Sequence, residues 1–401
     1  MSGAALVGPR GGPTPRRRVI IVGGGIGGLV AARALGLRGH EVTLLERAPR
    51  FAPVGAGIVL AANAIAVIDA LGVDLRPSGA LLDRMDTADA DGTLTSRLDL
   101  AALRPTVGPA LTLHRAELHA ALAAALPPTV ELRLGATVEA LELGAKPTVR
   151  LAGDAPLRAE LIIGADGLRS AVRRQLLGEE ALRPAGEACW RAVVPAPPMV
   201  TEGGGAVEHW GLGCRFGVVP LSGARAYVFL TRARAAGLPD LDPTALDAIF
   251  GAFGGAAAAL WPALRAGPLL HHDLLEHRTH AWGAGAAWLL GDAAHGMTPN
   301  LGQGAGMAIE DAMALALALE GQAALPAAHA AYVQARAARA RTVADRSRRV
   351  GQIAGWQAAP LRALRALALR LTPASAAGRA YAALAAPGRA LAAAWAALPP
   401  A

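Results

Sequence analysis

The N-terminal part of the chain constrains the fold most strongly, because a short apolar run there leads into a glycine-rich turn. The run "VIIV" precedes "GGGIGG", in which Gly23, Gly25 and Gly28 match the pattern G-x-G-x-x-G. A helix up to Gly39 and a second strand ending at Glu46 are predicted to follow. This order, with an acid at the end of the second strand, predicts a dinucleotide-binding βαβ unit.

The motif has a chemical rationale but leaves the nucleotide open. Glycines allow the backbone to approach a pyrophosphate at the helix N-terminus, where unpaired N–H groups favour an anion. Glu46 is expected to accept hydrogen bonds from an adenosine ribose. NAD and FAD both satisfy this pattern.

A second glycine-rich stretch, "LLGDAAHGMTPNLGQGAGMAIEDA", begins at Leu289. Asp292 follows an apparent strand, where its carboxylate suits a ribityl or ribose hydroxyl, and Pro299 stiffens the loop. Main chain passing close to a flat ring explains the alternate glycines Gly302, Gly304 and Gly306. A helix predicted from about Gln303 directs a partial positive charge at that ring, which favours a reduced flavin.

A third segment, "IIGADGLRSAVRR", places Asp166 and Gly167 after a predicted strand and before a predicted helix. From the residues alone, this is either an ordinary strand-turn-helix or part of the same ligand site. The sequence leaves both interpretations open.

The three segments in this order resemble the fingerprints of the class A FAD-dependent aromatic hydroxylases, most closely the branch of salicylate hydroxylase, urate hydroxylase and zeaxanthin epoxidase. The resemblance covers most of residues 17–350. It implies an FAD-dependent monooxygenase that hydroxylates or epoxidises a small aromatic substrate through a flavin C4a-hydroperoxide. NAD(P)H and O2 are the implied co-substrates, and no second glycine motif is present for a bound nicotinamide.

Two other functions stay open at this stage. One is a reductase or dehydrogenase of the same fold without oxygen insertion. The other is a non-catalytic flavoprotein that binds a partner or a membrane surface.

The resemblance also implies site residues. The residues expected to bind the cofactor are Gly23, Gly25, Gly27, Gly28, Glu46, Arg47, Val59, Arg115, Val138, Asp166, Asp292, Gly302, Gln303, Gly304, Ala305 and Gly306. The candidates for the substrate pocket are Arg191, His209, Arg215, Tyr227 and Pro299, with Arg215 and Tyr227 at pocket positions of the urate hydroxylase-like branch. The alternatives are a surface ion pair for Arg215 and a core position for Tyr227.

The expected fold is α/β, with a Rossmann-type FAD-binding domain, an inserted β-sheet substrate domain and C-terminal helices. We assign residues 17–80, 108–182 and 278–325 to the first, 81–107 and 183–277 to the second, and 326–401 to the helices. Residues 1–16 are predicted to be a disordered tail. The segment "VELRLGATVEALEL" is predicted to form a hairpin-like pair of strands.

Composition excludes several classes of function. The net charge of +8 comes from dispersed arginines, and aromatic residues make up only 4%, which argues against nucleic acid as a partner. Cys189 and Cys214 form neither a disulfide framework nor a metal motif, and a cytoplasmic location is the default expectation. No metal site is expected, although four histidines cluster in "HHDLLEHRTH". The basic, amphipathic C-terminal stretch is expected to lie on the protein body, with membrane-surface contact as the alternative.

Overall fold

A computed structural model describes residues 15–51, 56–144 and 146–400, so most of the predicted tail lies outside the described residues. The strands are β1 (Arg18–Val22), β2 (Glu41–Glu46), β3 (Gly57–Leu60), β4 (Ala80–Leu81), β5 (Arg84–Asp89), β6 (Leu94–Asp99), β7 (Leu111–His114), β8 (Val130–Leu134), β9 (Val138–Glu142), β10 (Thr148–Leu151), β11 (Leu157–Arg158), β12 (Leu161–Gly164), β13 (Arg183–Pro195), β14 (Gly205–Trp210), β15 (Cys214–Leu221), β16 (Arg225–Ala233), β17 (Leu270–Glu276), β18 (Gly283–Ala284) and β19 (Ala287–Leu289). The helices are α1 (Ile26–Leu37), α2 (Ala62–Ala70), α3 (Leu100–Val107), α4 (Arg115–Ala124), α5 (Ala171–Leu177), α6 (Pro198–Thr201), α7 (Pro243–Phe250), α8 (Gly255–Arg265), α9 (Asp292–His295), α10 (Gly304–Gly321), α11 (Leu325–Ala354), α12 (Ala359–Leu371) and α13 (Ala374–Ala396).

A six-stranded sheet with strand order β18-β19-β12-β1-β2-β8 forms the first layer of the fold. Its neighbours pair in parallel except at the β18 edge. Four of the five residues of β1 are buried, as the apolar run "VIIV" requires for a strand covered on both faces. Helices α1 and α10 pack together beside it. The predicted Rossmann-type α/β fold is confirmed.

A seven-stranded sheet with order β17-β13-β16-β15-β14-β5-β6 forms the second layer. Its strands come from two separate stretches of chain, 84–99 and 183–276. One face is sealed by apolar side chains of α7 and α8, including Phe250 and Leu260. The other face meets β3 and α13 through a small cluster that contains Val59, Val219 and Tyr381.

The expected hairpin between β8 and β9 is wrong. Strand β8 pairs in parallel with β2, whereas β9 pairs with β10 in a separate three-stranded sheet. Gly135, in the left-handed region at φ +74°, turns the chain away from a hairpin. The N–H groups of Gly135 and Ala136 donate to the carbonyls of Ala48 and Glu46, which joins this turn to the end of β2.

The chain after Gln303 is helical, as predicted, and α13 lies on the protein body against α2. The Tyr381 hydroxyl accepts a hydrogen bond from the Ala62 N–H group at 3.3 Å. A side chain at Gly388 would collide with the backbone of Asn63, so glycine permits this close helix contact. Among the described residues, no helix is long and apolar enough to cross a membrane.

Candidate active site

Contacts within the protein explain two glycines of the motif that joins β1 to α1. Gly23 has φ +108°, and a Cβ there would lie 2.5 Å from the Ala165 carbonyl oxygen. A Cβ at Gly28 would collide with the Gly23 carbonyl. Gly25 differs, because its φ is −70° and an added Cβ would meet no atom within 4 Å. The backbone at Gly25 therefore borders open space at the N-terminus of α1.

Glu46 connects this glycine turn to the end of β2. Its carboxylate accepts hydrogen bonds from the N–H groups of Gly24 and Ala48, both at 2.8 Å. The side chain is half-buried, and the neighbouring Arg47 is exposed. Val138 begins the strand that follows the turn held by Glu46. The three residues predicted to hold an adenosine thus lie around one end of β2.

Asp292 lies in α9, directly after Gly291, which has φ +60°. Its side chain is exposed, and none of the described residues donates a hydrogen bond to its carboxylate. Protein atoms crowd the group on its other sides and raise its pKa through lost hydration, against the attraction of His295 and Arg115. Arg115, exposed at the start of α4, therefore lies within electrostatic range of the Asp292 carboxylate. This carboxylate is available to ligand hydroxyl groups.

The loop before α10 presents bare backbone. A Cβ at Gly302 or Gly304 would meet no atom within 4 Å, although only Gly302 has a positive φ, +61°. Gly306 is packed, with Asn63 Nδ2 3.0 Å from an added Cβ. Ala305 is half-buried, and Gln303 is buried and precedes the helix as its N-cap. Open space therefore lies at the N-terminus of a second helix.

These observations fit FAD. Two helix N-termini border open space at glycines, Gly25 and Gly304, whose own backbone angles do not require glycine. An unpartnered carboxylate, Asp292, adds an acceptor for ligand hydroxyls, and Glu46 supplies one at the end of β2. A dinucleotide with a pyrophosphate, two sets of hydroxyls and a flat ring matches this set of groups.

A buried ionic network supports the loop from beneath. Arg336 donates to Asp311 Oδ1 at 2.7 Å and to Glu310 Oε2 at 2.6 Å. Asn63 Nδ2 joins Glu310, at 2.7 Å, to Gln303 Oε1, at 3.1 Å. Burial opposes ionisation of both acids, but Arg336 lowers the pKa of Glu310, and His295 together with Arg336 lowers the pKa of Asp311. The network therefore fixes the start of α10, next to the open space at Gly302 and Gly304.

His295 belongs to the same network. Its Nε2 lies 2.5 Å from Asp311 Oδ2, and the Gly291 N–H group donates to the same carboxylate oxygen at 3.0 Å. Both residues are completely buried, which agrees with a packing role for His295. The sequence interpretation missed Asn63, Glu310, Asp311 and Arg336. An adjacent acid pair inside the otherwise apolar helix "AIEDAMALALAL" was the available signal.

The Asp166 carboxylate already accepts hydrogen bonds from groups of the protein itself. It accepts them from the Ser170 hydroxyl at 2.5 Å and from the N–H groups of Ala171 and Val172. Burial raises its pKa, and these hydrogen bonds oppose the shift. The structure thus gives this carboxylate a capping role at the start of α5, as the strand-turn-helix interpretation requires.

The seven-stranded sheet presents one unusual face. Arg191, Tyr227 and Phe229 are half-exposed there, whereas Ala192, Val228 and other alternate residues are completely or nearly completely buried on the opposite face. Arg191 pairs in register with Phe229, which pairs with Gly217 on β15. A Cβ at Gly217 would collide with the Phe229 ring, so the ring lies over this glycine. We call this half-exposed face, formed by Arg191, Tyr227 and Phe229, the wall.

Arg191 is unusual within this wall. Its Nε lies 3.3 Å from the Cys189 sulfur, and no carboxylate among the described residues pairs with it. Partial loss of hydration raises the pKa of the half-exposed Tyr227, and the positive charges of Arg191 and Arg115 oppose that shift. Arg115 therefore lies within electrostatic range of both Tyr227 and Asp292, and the wall carries a positive charge with no ion-pair partner among the described residues.

Arg215 occupies neither position foreseen for it. It is almost completely buried rather than on the surface, and it donates to Glu187 at 2.8 Å and Glu208 at 3.0 Å. It also donates to Asn300 Oδ1 at 2.6 Å, next to the exposed Pro299. Two carboxylates satisfy its charge, which does not favour binding of an anionic substrate. Its contacts instead hold the loop at Asn300 against the sheet.

The pocket candidate His209 lies on the face of the sheet opposite this wall, where it lines a separate cavity. Its ring contacts Phe253 edge-on, with ring centroids 6.4 Å apart, in the cluster beneath α8. Its register partner Phe216 is buried in the same cluster. Alternation along β14 therefore places Glu208, not His209, on the side of Arg215.

The histidine-rich segment contains no metal centre in the part of the chain that the structure describes. His271 stacks on Trp190 with ring centroids 4.9 Å apart, and His272 is exposed. His277 and His280 are held largely neutral, because burial lowers the pKa of each to about 4.

Comparison with known proteins gives a consistent result. A family model described as "FAD binding domain" matches residues 16–347. The chain is 38% identical to the aurachin C monooxygenase/isomerase of Stigmatella aurantiaca, over 84% of this chain and 90% of the relative. It is 36% identical to the 2-heptyl-3-hydroxy-4(1H)-quinolone synthase of Pseudomonas aeruginosa, over 88% of this chain and 94% of the relative. Klebsiella pneumoniae HpxO, solved with FAD and uric acid, superposes with a TM-score of 0.84 at 26% identity, covering 92% of this chain and 97% of HpxO.

Proposed function

Because this chain belongs to the class A FAD-dependent aromatic hydroxylases, it is an FAD-dependent monooxygenase, and we propose that its substrate is an aromatic of the 4-quinolone type. Its relatives act on aromatic compounds, and the Pseudomonas relative is named for making a 3-hydroxy-4-quinolone. The observation that carries the proposal is the half-exposed wall of Arg191, Tyr227 and Phe229.

The wall matches the chemistry of such a ring. Phe229 over Gly217 offers a flat surface for stacking, which contributes about 0.5–1.5 kcal/mol beyond area burial. Arg191 stays charged at any working pH and has free donors for the ring oxygen. Stabilising that oxygen as an enolate raises the electron density on the neighbouring ring carbon. This carbon is the proposed site of hydroxylation.

The overall reaction converts one ring C–H bond into C–OH. One oxygen atom of O2 enters the product and the other leaves as water, while NAD(P)H supplies two electrons. FAD, when bound, supplies the redox chemistry that activates oxygen. The protein's part is to hold the substrate on the wall, orient its ring carbon and exclude water.

We assign the cofactor contacts as follows. The turn of Gly23, Gly25, Gly27 and Gly28 is assigned to the pyrophosphate, with the backbone at Gly25 facing it. Glu46 and Arg47 are assigned to the adenosine ribose, and Val138 to the adenine. Val59 and Arg115 are assigned to the region beside the flavin, Asp292 to the ribityl chain, and residues 302–306 to the ring. The open space at Gly25 and Gly304 supports these roles. Asp166 is assigned to positioning of α5.

The domain limits given above remain our proposal, with residues 81–107 and 183–277 as the substrate domain. The division is supported by the seven-stranded sheet, whose strands come from within those ranges. We also propose that the enzyme works in the cytoplasm. Cys189 and Cys214, both buried and unpaired, are compatible with a reducing compartment.

Anaerobic stopped-flow spectroscopy tests the substrate class. 4-Quinolones should accelerate flavin reduction by NAD(P)H, and quinolines without the 4-oxygen should do so weakly. Arg191→Gln should raise the apparent Kd for the 4-quinolone by about tenfold, the effect of losing roughly 1.5 kcal/mol from a charged hydrogen bond. His209→Gln, on the opposite face, is the matched control. Equal responses to both ligand classes, or an unchanged Kd in Arg191→Gln, would reject the assignment.

A reductase without oxygen insertion is the competing function. A reductase would consume NAD(P)H and give no hydroxylated product with any substrate. Product formed per NAD(P)H consumed separates the two reactions.

A further inference from the structure

Helix α12 buries a charged side chain and exposes its apolar ones, the opposite of a usual helix on the surface of a globular protein. Of its thirteen residues, the one that is buried is Arg365. The guanidinium lies 5.0 Å from the centre of the Trp210 ring and donates to the Ala354 carbonyl at 2.7 Å. By contrast, α8 buries Leu260, Trp261 and Leu264. A surface helix ordinarily turns its apolar side chains inward and its charged ones toward water.

The outward side of α12 is apolar. Its exposed fractions are Leu361 41%, Leu364 57%, Leu367 53% and Leu371 70%. Spacings of three, three and four residues place the four leucines on one side of a helix. A contiguous leucine stripe facing water marks an interaction surface.

The arginines are spread along the chain, but the excess of positive charge over negative charge lies in its C-terminal region. Residues 346–401 contain eight arginines and no acidic residue, which equals the net charge of the whole chain, +8. The preceding residues are neutral overall, with 31 basic and 31 acidic side chains. In the part of the chain that the structure describes, Arg346, Arg349, Arg379 and Arg389 are exposed and have no ion-pair partner. The C-terminal region is therefore both basic and apolar on its surface.

We propose that α12 docks the enzyme on an anionic membrane surface, with its leucine stripe among the lipid chains and the exposed arginines of the C-terminal region on the headgroups. A short amphipathic helix with an apolar side and basic neighbours has this property. Arg365 fixes the orientation of the helix, since its contacts with Trp210 and Ala354 hold the leucines outward. The inference is independent of the proposed substrate.

Vesicle flotation of the full-length FAD-loaded protein tests the proposal. Wild-type protein should float with phosphatidylcholine vesicles that contain phosphatidylglycerol, stay behind with pure phosphatidylcholine, and detach in high salt. Leu364→Gln/Leu367→Gln should lower the partition coefficient by roughly tenfold or more, because two partly inserted leucines are lost. FAD content and the melting temperature should not change.

Leu143→Gln/Leu177→Gln is the matched control, because these leucines are 51% and 53% exposed away from α12. This variant should bind vesicles like the wild type. The proposal is overturned if the wild-type protein does not float, or if the α12 variant floats equally well. It is also overturned if sedimentation shows a dimer that the α12 variant abolishes, because a second copy would then cover the stripe.

Discussion

Gly304→Ala should affect the empty protein and its cofactor binding in opposite directions. A Cβ at Gly304 meets no atom within 4 Å, and the residue begins α10 without a positive φ. Replacing such a glycine should stabilise the FAD-free protein by about 0.4–1 kcal/mol, because the unfolded chain loses freedom. The added methyl group enters the space assigned to the flavin. Overpacking costs about 1–3 kcal/mol, so the Kd for FAD should rise by about tenfold to a hundredfold.

Gly28→Ala is the contrasting variant, because its Cβ would collide with the Gly23 carbonyl. It should destabilise the FAD-free protein itself. The assay is urea unfolding of FAD-free protein, followed by titration with FAD monitored by flavin fluorescence. If Gly304→Ala binds FAD like the wild type, the flavin does not lie at this loop. If it destabilises the FAD-free protein, the glycine serves the fold instead.

Three further predictions concern charged groups. Asp292→Ala should not lower FAD-free stability and should raise the FAD Kd by about tenfold to a hundredfold, because its carboxylate has no partner among the described residues; equilibrium dialysis checks the Kd. Arg215→Met should destabilise the protein by about 3–5 kcal/mol in thermal unfolding, because Glu187 and Glu208 lose their cation; an unchanged melting temperature contradicts this. Burial holds the pKa of His277 at about 4, so the unfolded state binds more protons between about pH 4 and 6.5 and stability falls as pH falls through that window. His277→Gln should flatten that decline in urea midpoints.

Local signals in the sequence were sufficient for the cofactor-binding fold. The strand, glycine turn and helix around Gly23 and Gly28 are specified by neighbouring residues, and so is the loop before α10. The confirmed family and fold rest on such segments. Their geometry depends on close backbone contacts that only glycine permits.

Contacts between distant residues could not be predicted in the same way. Nothing local to β8 indicates that it joins β2 rather than β9. The network of Glu310, Asp311 and Arg336 joins helices whose contact becomes visible only in three dimensions.

The two faces of the substrate sheet pose a related problem. His209 and Arg215 both carry groups suited to a pocket, but a strand directs alternate residues to opposite sides. The sequence does not say which side faces the cofactor. Likewise, α12 has an amphipathic pattern that predicts an apolar side, whereas only the structure shows that this side faces outward.

Turnover under isotopically labelled O2 tests the central claim most directly. Purified enzyme with FAD, NAD(P)H and a 4-quinolone is expected to give a hydroxylated product that carries one labelled oxygen atom, identified by mass spectrometry. Product should rise in proportion to NAD(P)H consumed and should be lost in Gly304→Val, which blocks the space assigned to the flavin. NAD(P)H oxidation that yields only hydrogen peroxide with every aromatic compound tested, or a product without the label, would contradict the assignment as a monooxygenase.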